Sequence, residues 1–324
     1  MPFALLVCLM IAGLVGLLVA GDVLVRGAAA LARRLGIGPL IVGLTVVAFG
    51  TSAPEMFVSV DAVRQGASGI AVGNIVGSNI ANVFLVLGMP ALFGAIAAPG
   101  AGARSSAAIG LAAALIVWAM SFAGALGLWQ GVVLLAGILG YLAFLFRRAQ
   151  TGVEDPSLAE LADVDHIEGL PQRGWSIAGC ILFGLAGLPL GAKLIVESGI
   201  EMAERLAVPE EIIGLTALAV GTSLPELAAT VLAAMRKHTE LAVGNVIGSN
   251  IFNLFAVLGV TALAGTVPVS QAVRGYDMLV MVAAAIVLFG LTLAQKGINR
   301  LTGVVLLFAY AGYLFGVTQV GRAV

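Results

Sequence analysis

Apolar positions along the chain neither alternate nor form a single helical stripe. They run in blocks of roughly 17 to 25 residues, long enough to cross a bilayer as helices. About ten such blocks are predicted, centred near Gly13, Phe49, Asn82, Leu115, Gly137, Leu185, Gly221, Asn253, Ala284 and Ala311. The clearest interruption runs from Arg147 to Arg173, a polar and acidic stretch with two prolines. It separates residues 1–147 from residues 174–324 by a linker over 148–173. The first block, Phe3 to Ala20, lacks a basic lead-in, and a similar segment returns near Gly174. It is therefore predicted to be a first spanning helix and not a signal peptide.

The two parts repeat each other. Residues Gly43 to Gly88 align without a gap on Gly214 to Gly259 at an offset of 171, with about half the positions identical. The flanks agree as well: "LVAGDVLVRGAAALARRLGI" is echoed by "PLGAKLIVESGIEMAERLAV". Repeats of this kind mark transporter folds. Five spans per part is an odd number, so the second copy enters the membrane inverted. The expected fold is an all-α polytopic membrane protein of about ten transmembrane helices in two inverted five-helix repeats.

Composition sharpens this picture. Of 324 residues, 60% are apolar and only 10% charged, too few charges to cover a soluble protein of this size. The 43 glycines suit close helix packing in lipid. A net charge of −1 and the lack of a basic stripe exclude a nucleic-acid partner. Cys8 and Cys180 lie in apolar runs without the spacing of a zinc or disulfide framework and are expected as small buried residues. His166 and His238 fall in polar connections and are expected to be solvated.

Basic residues orient the chain. Arg33, Arg34, Arg104, Arg147, Arg148, Arg173, Arg236, Lys237, Lys296 and Arg300 fall on one side, against Arg64, Arg205, Arg274 and Arg322 on the other. Arg26 and Lys193 cancel. The positive-inside rule places the first set and the linker in the cytoplasm and both termini outside, as a multi-pass protein of the inner (plasma) membrane.

The chemistry sits inside the repeats. "GTSAPE" (Gly50–Glu55) and "GTSLPE" (Gly221–Glu226) each place a glutamate at membrane depth, which costs about 2.5–3.5 kcal/mol on insertion scales. No lysine or arginine occurs in Leu35–Val63 or Leu206–Met235 to offset it, so the missing positive charge is expected to be a bound cation. Pro54 and Pro225 lack the N–H that would engage the carbonyls of Gly50 and Gly221. Thr51, Ser52 and Glu55, like Thr222, Ser223 and Glu226, share a face if the turn stays helical. Carboxylate, hydroxyl and carbonyl oxygens suit calcium, sodium or magnesium and not copper or zinc. Each repeat continues with "VGNIVGSNIANVFLVLG" (Val72–Gly88) or "VGNVIGSNIFNLFAVLG" (Val243–Gly259). Asn74, Ser78 and Asn82, and Asn245, Ser249 and Asn253, form a polar stripe at intervals of four. For Asn74 and Asn245 the stripe has two readings, an ion site or glue between helices. Gly73, Gly77, Gly244 and Gly248 would let this helix approach the broken one.

"GTSxPE" followed by "GNxxGSNIxN", twice in one chain, resembles the alpha-repeats of the cation/calcium exchanger superfamily, in particular the prokaryotic sodium/calcium exchangers. The resemblance spans essentially the whole chain. It implies ion sites between broken helices 2 and 7 and helices 3 and 8. It further implies that Glu55 and Glu226, with the carbonyls of Thr51 and Thr222, bind calcium. Sodium would be held by Ser52, Ser78, Ser223 and Ser249, the same glutamates and the carbonyls of Ala48 and Ala219, with Asn82 and Asn253 completing the cluster. Many relatives carry an aspartate at the position of Asn253; here only two carboxylates remain, which argues against potassium coupling. The implied activity is calcium extrusion against sodium entry by alternating access, with Ca2+ and Na+ as substrates, the lipid bilayer as surroundings, no cofactor and a monomer as the working unit. A proton-coupled calcium exchanger is the alternative, then a passive cation channel. An enzyme is not expected, since neither Ser52 nor Ser223 has a histidine or lysine base.

Fainter signals remain. The linker acids Glu154, Asp155, Glu160, Asp163, Asp165 and Glu168 lack the spacing of a calcium loop. Asp22 and Lys193, and Arg26 and Glu197, occupy equivalent positions with swapped charge and are expected at span ends, where such residues snorkel. Asp61 marks either a span end or an outer ion entrance.

Overall fold

The computed structural model describes residues 2–94, 96, 100–150, 171–206, 221–294 and 297–322. The linker acids, His166 and Ala219 lie outside these residues. Helices α1 (Phe3–Leu35), α2 (Pro39–Arg64), α3 (Ser68–Phe93), α4 (Ala101–Ser121) and α5 (Leu128–Gln150) form the first half. Helices α6 (Gly174–Arg205), α7 (Leu224–Met235), α8 (Thr239–Ala264), α9 (Val273–Leu293) and α10 (Arg300–Arg322) form the second. Among the described residues nine helices are long and apolar enough to span a membrane. The shorter α7 aligns at the 171-residue offset with the second half of α2. The expected all-α polytopic architecture is present, and the ten helices fit the ten predicted blocks.

Helices α3 and α8 are the centre of the molecule, with 83% and 89% of their most apolar stretch buried against protein. They bury that surface because their polar stripes and small residues face other helices and not lipid. Gly244 and Gly248 bring α8 onto α2: a Cβ on Gly244 would lie 2.7 Å from the Leu40 carbonyl oxygen, and one on Gly248 would lie 2.6 Å from Ala48 Cβ. For Gly73 and Gly77 the segment equivalent at the same offset falls in 207–220, outside the described residues. Around this centre α4 packs on α9, α5 on α8 and α10 on α3. The last two contacts use paired glycines, Gly131 with Gly259 and Gly303 with Gly88.

The longest helices, α1 with 33 residues and α6 with 32, lie against each other. At 1.5 Å per residue each is about 50 Å long, more than the bilayer core requires, so they tilt or project from it. Their seam is close because Gly13 meets Gly191 and Gly184 meets Leu24 at distances that leave no room for a side chain.

Two backbone clips, not foreseen from the sequence, close the connections. Strand β1 (Ala125–Leu126) pairs antiparallel with β2 (Val267–Pro268), and Ile96 bridges Ile298. Two sequence expectations are corrected. Cys8 is exposed on α1 and Cys180 only partly covered. His238 is 4% exposed, because the αL turn at Lys237 (φ 63°) folds the connection back so that the His238 N–H reaches the Ala233 carbonyl.

Candidate ion site

Both broken helices break at the same place. Ser52 (φ −84°, ψ −1°) ends the first part of α2, and Ser223 has almost the same angles (φ −85°, ψ 0°) ahead of α7. Pro54 and Pro225 then fall in the first turn of the restarted helix, where a missing N–H costs nothing. Glu55 and Glu226 come next, each 0% exposed. Each carboxyl is an electrostatic neighbour of the other, and among the described residues neither has an ion-pair or hydrogen-bonding partner for its oxygens.

The opposite wall is supplied by α3 and α8. Each has a π-turn, at Asn82–Val86 and Asn253–Val257, in which the carbonyl of the asparagine accepts an N–H five residues on. Such single π-turns tend to occur at functional sites because they re-aim side chains. Here they hold Asn82 and Asn253, both 0% exposed, with neither amide atom hydrogen-bonded among the described residues. Ser52 Oγ and Ser223 Oγ are likewise buried and have no partner among the described residues. Together with the two glutamates these residues gather eight buried oxygens without a donor among the described residues, and such atoms call for an explanation where they collect.

The two halves complete each other's wall. Thr51 Oγ1 lies 3.3 Å from Ser249 Oγ, and Ser78 Oγ lies 3.3 Å from Thr222 Oγ1. At the 171-residue offset these are the same contact made twice, in opposite directions across the repeat axis. Ala48 is placed beside the break, but its carbonyl already accepts the Ser52 N–H at 3.0 Å and the Thr51 hydroxyl at 3.4 Å.

Asn74 and Asn245 act as braces between helices. Asn74 Nδ2 donates to the Glu55 carbonyl (3.2 Å) and to Ser59 Oγ (3.0 Å). Asn245 Nδ2 donates to the Glu226 carbonyl (3.5 Å) and to Thr230 Oγ1 (2.9 Å). These bonds fix the backbone of each glutamate to the neighbouring helix. Ser59 and Thr230 were not singled out from the sequence, although their position four residues after each glutamate, repeated at the offset, is a usable signal. Asn79 and Asn250 were also missed. Each buries an amide oxygen without a partner, and Asn250 Nδ2 reaches the Asn79 carbonyl at 3.3 Å, tying α8 to α3.

The arrangement can hold a hard cation between two carboxylates and neutral oxygens. No cluster of three acidic, histidine or cysteine side chains occurs among the described residues, in keeping with an asparagine at 253.

Known proteins agree with this geometry. The model of the sodium/calcium exchanger protein family matches residues 5–147 and 176–319. The protein named "Putative antiporter CaxA" in Alkalimonas amylolytica is 37% identical over 308 residues, 94% of this chain and 95% of that protein. Sodium/calcium exchanger MaX1 of Methanosarcina acetivorans is 32% identical over 338 residues, covering 94% and 96%. Among solved structures, the sodium-calcium exchanger NCX_Mj soaked with Na+ and Sr2+ superposes with a TM-score of 0.81 at 29% identity, covering 95% of this chain and 97% of that one. With a family match over both halves and relatives aligned along almost their full length, the chain belongs to the sodium/calcium exchanger family.

Proposed function

We propose that this chain is an antiporter that moves Ca2+ out of the cell against Na+ entering it, using Glu55 and Glu226 as the two charges of one shared site. The observation that supports this reading is the pair of fully buried, interacting carboxylates, without a basic partner among the described residues and set among neutral oxygens that have none there either. Two carboxylates neutralise one Ca2+. Sodium ions would occupy overlapping positions at Ser52, Ser78, Ser223 and Ser249, so the two cargoes exclude each other, as exchange requires. The carbonyls of Thr51, Thr222, Ala48 and Ala219 and the amides of Asn82 and Asn253 would complete the shells. Since the Ala48 carbonyl already accepts two hydrogen bonds, its role is the weakest of the set. The chain would work as a monomer, because the two inverted halves supply both walls, with the linker and the more basic connections facing the cytoplasm.

The test is calcium flux in proteoliposomes of the purified protein. With pH clamped equal on both sides, an outward sodium gradient should drive 45Ca2+ uptake against its own gradient. Uptake that ignores sodium and follows an imposed pH gradient would assign the coupling to protons. Flux that never concentrates calcium would make the protein a passive channel.

A further inference from the structure

The repeat is broken in one respect, the polarity of a charge on its longest helices. In α1, Asp22 pairs with Arg26 one turn on, at 3.0 Å. In α6 the equivalent residues are Lys193 and Glu197, paired at 3.6 Å. The same intrahelical pair is thus present twice with its signs exchanged.

The surroundings of the two pairs differ as well. Asp22 also receives the guanidinium of Arg236 at the C-terminal end of α7, through both an ion pair and a hydrogen bond. Next to it, Gly21 packs so tightly on Leu232 of α7 that a Cβ would come within 2.6 Å. Side α1 is therefore closed onto α7. The twin pair is not engaged in this way. The side chains of Lys193 and Glu197 are 67% and 63% exposed, against 24% for Asp22, and among the described residues Lys193 pairs only with Glu197.

The residue equivalent to Arg236 is Gln65, at the end of α2, and Gln65 Nε2 holds the carboxylate of Asp61 at 2.6 Å. The end of α2 therefore presents an anion where the end of α7 presents a cation. Opposite charges are available on both sides, but only one pair is made.

We propose that Asp22 with Arg236, and Lys193 with Asp61, are alternative ionic latches of opposite polarity that close the two sides of the central site in turn. The inference rests on the antiport reading above. In an inverted-repeat carrier, the second state follows from the first by exchanging the conformations of the halves. That exchange turns the α1–α7 contact into an α6–α2 contact, with Lys193 brought to Asp61 and Asp22 released from Arg236. The close α1–α6 seam couples the two events, because the two helices are too tightly packed to shift independently. Opposite polarity gives each side an ion pair of its own. These four are positioning residues and touch no cargo.

The test uses the full-length protein in proteoliposomes and membranes. Lys193→Asp should slow sodium-driven calcium exchange about fivefold, the scale of a partly exposed charge pair, while equilibrium Ca2+ binding to the solubilised protein stays unchanged. The double variant Lys193→Asp/Asp61→Lys should restore the rate. A Lys193→Asp rate equal to wild type, or a loss that the double variant does not restore, overturns the latch. Should Lys193→Asp fail to fold, a second arm decides. In a background lacking Cys8 and Cys180, Lys193→Cys/Asp61→Cys should form a disulfide in membranes under turnover conditions and stop exchange until reduced, and failure to cross-link overturns the proposal. Wild-type protein that does not couple calcium to sodium would remove the antiport reading alone, since the cross-link still reports the approach of α6 to α2.

Discussion

Glu226→Gln tests the central site most directly. The substitution keeps shape and removes one charge from a position that is 0% exposed, with no hydrogen bond to either carboxylate oxygen and no basic residue to take over among the described residues. In the calcium-bound state it removes half the anionic charge facing the ion. Breaking a buried ion pair from one side costs about 3–5 kcal/mol, and each 1.4 kcal/mol is a factor of ten. Calcium affinity should therefore fall by roughly two to four decades. Without cation the sign reverses. In the empty site the substitution replaces a buried carboxyl that has no cation to pair with, so the variant should unfold at the same temperature as wild type or higher in chelator. Glu55→Gln should behave alike, because the two positions are equivalent. Isothermal titration with Ca2+ and a thermal melt in chelator give both readouts. An affinity loss below tenfold in either variant, or a marked drop in chelator stability that marks general damage, would refute the assignment of paired carboxylates.

Other expectations follow from single sites. Asn253→Asp should leave exchange intact but make calcium affinity climb more steeply with pH, since the added carboxyl contributes charge only after losing its proton; parallel titrations at several pH values check this. Gly248→Val should destabilise by about 1–3 kcal/mol or more, because its Cβ would meet Ala48 at 2.6 Å, whereas Gly140→Ala, with nothing within 4 Å, should be tolerated in the same melt. Lys237 adopts the left-handed conformation that its twin Gly66 adopts at φ 78°, so Lys237→Gly should raise stability by about 0.5–1 kcal/mol, the left-handed penalty less the entropy of glycine. Burial, with Arg236 close by, lowers the pKa of His238 below its ordinary 6.5. The folded protein therefore holds this residue neutral, and the unfolded chain binds the extra proton first. The His238 contribution is complete above pH 6.5 and declines as pH falls below it, a slope that His238→Gln should flatten.

The candidate site was legible in the sequence because its signals are local. A glutamate, a proline and two hydroxyls in an apolar run break several rules at once, and the same breaks recur at the 171-residue offset. The asparagine stripe was legible in the same way from its spacing of four. What escaped depends on partners far along the chain. The π-turns at Asn82 and Asn253 have no sequence signature of their own. The Asp22–Arg236 contact joins residues 214 positions apart, so spacing alone does not show these charges paired within the protein. His238 looked solvated because its neighbours are polar, and only the backbone reversal at Lys237 turns it inward. The β clips are one and two residues long, too short to leave an alternating pattern.

The exchanged contacts Thr51–Ser249 and Thr222–Ser78 both join one half to the other, so a five-helix half alone carries one of the two carboxylates and only one member of each hydroxyl pair. The cluster therefore exists only while the halves are held together, and the covalent linker keeps them at equal number in every molecule.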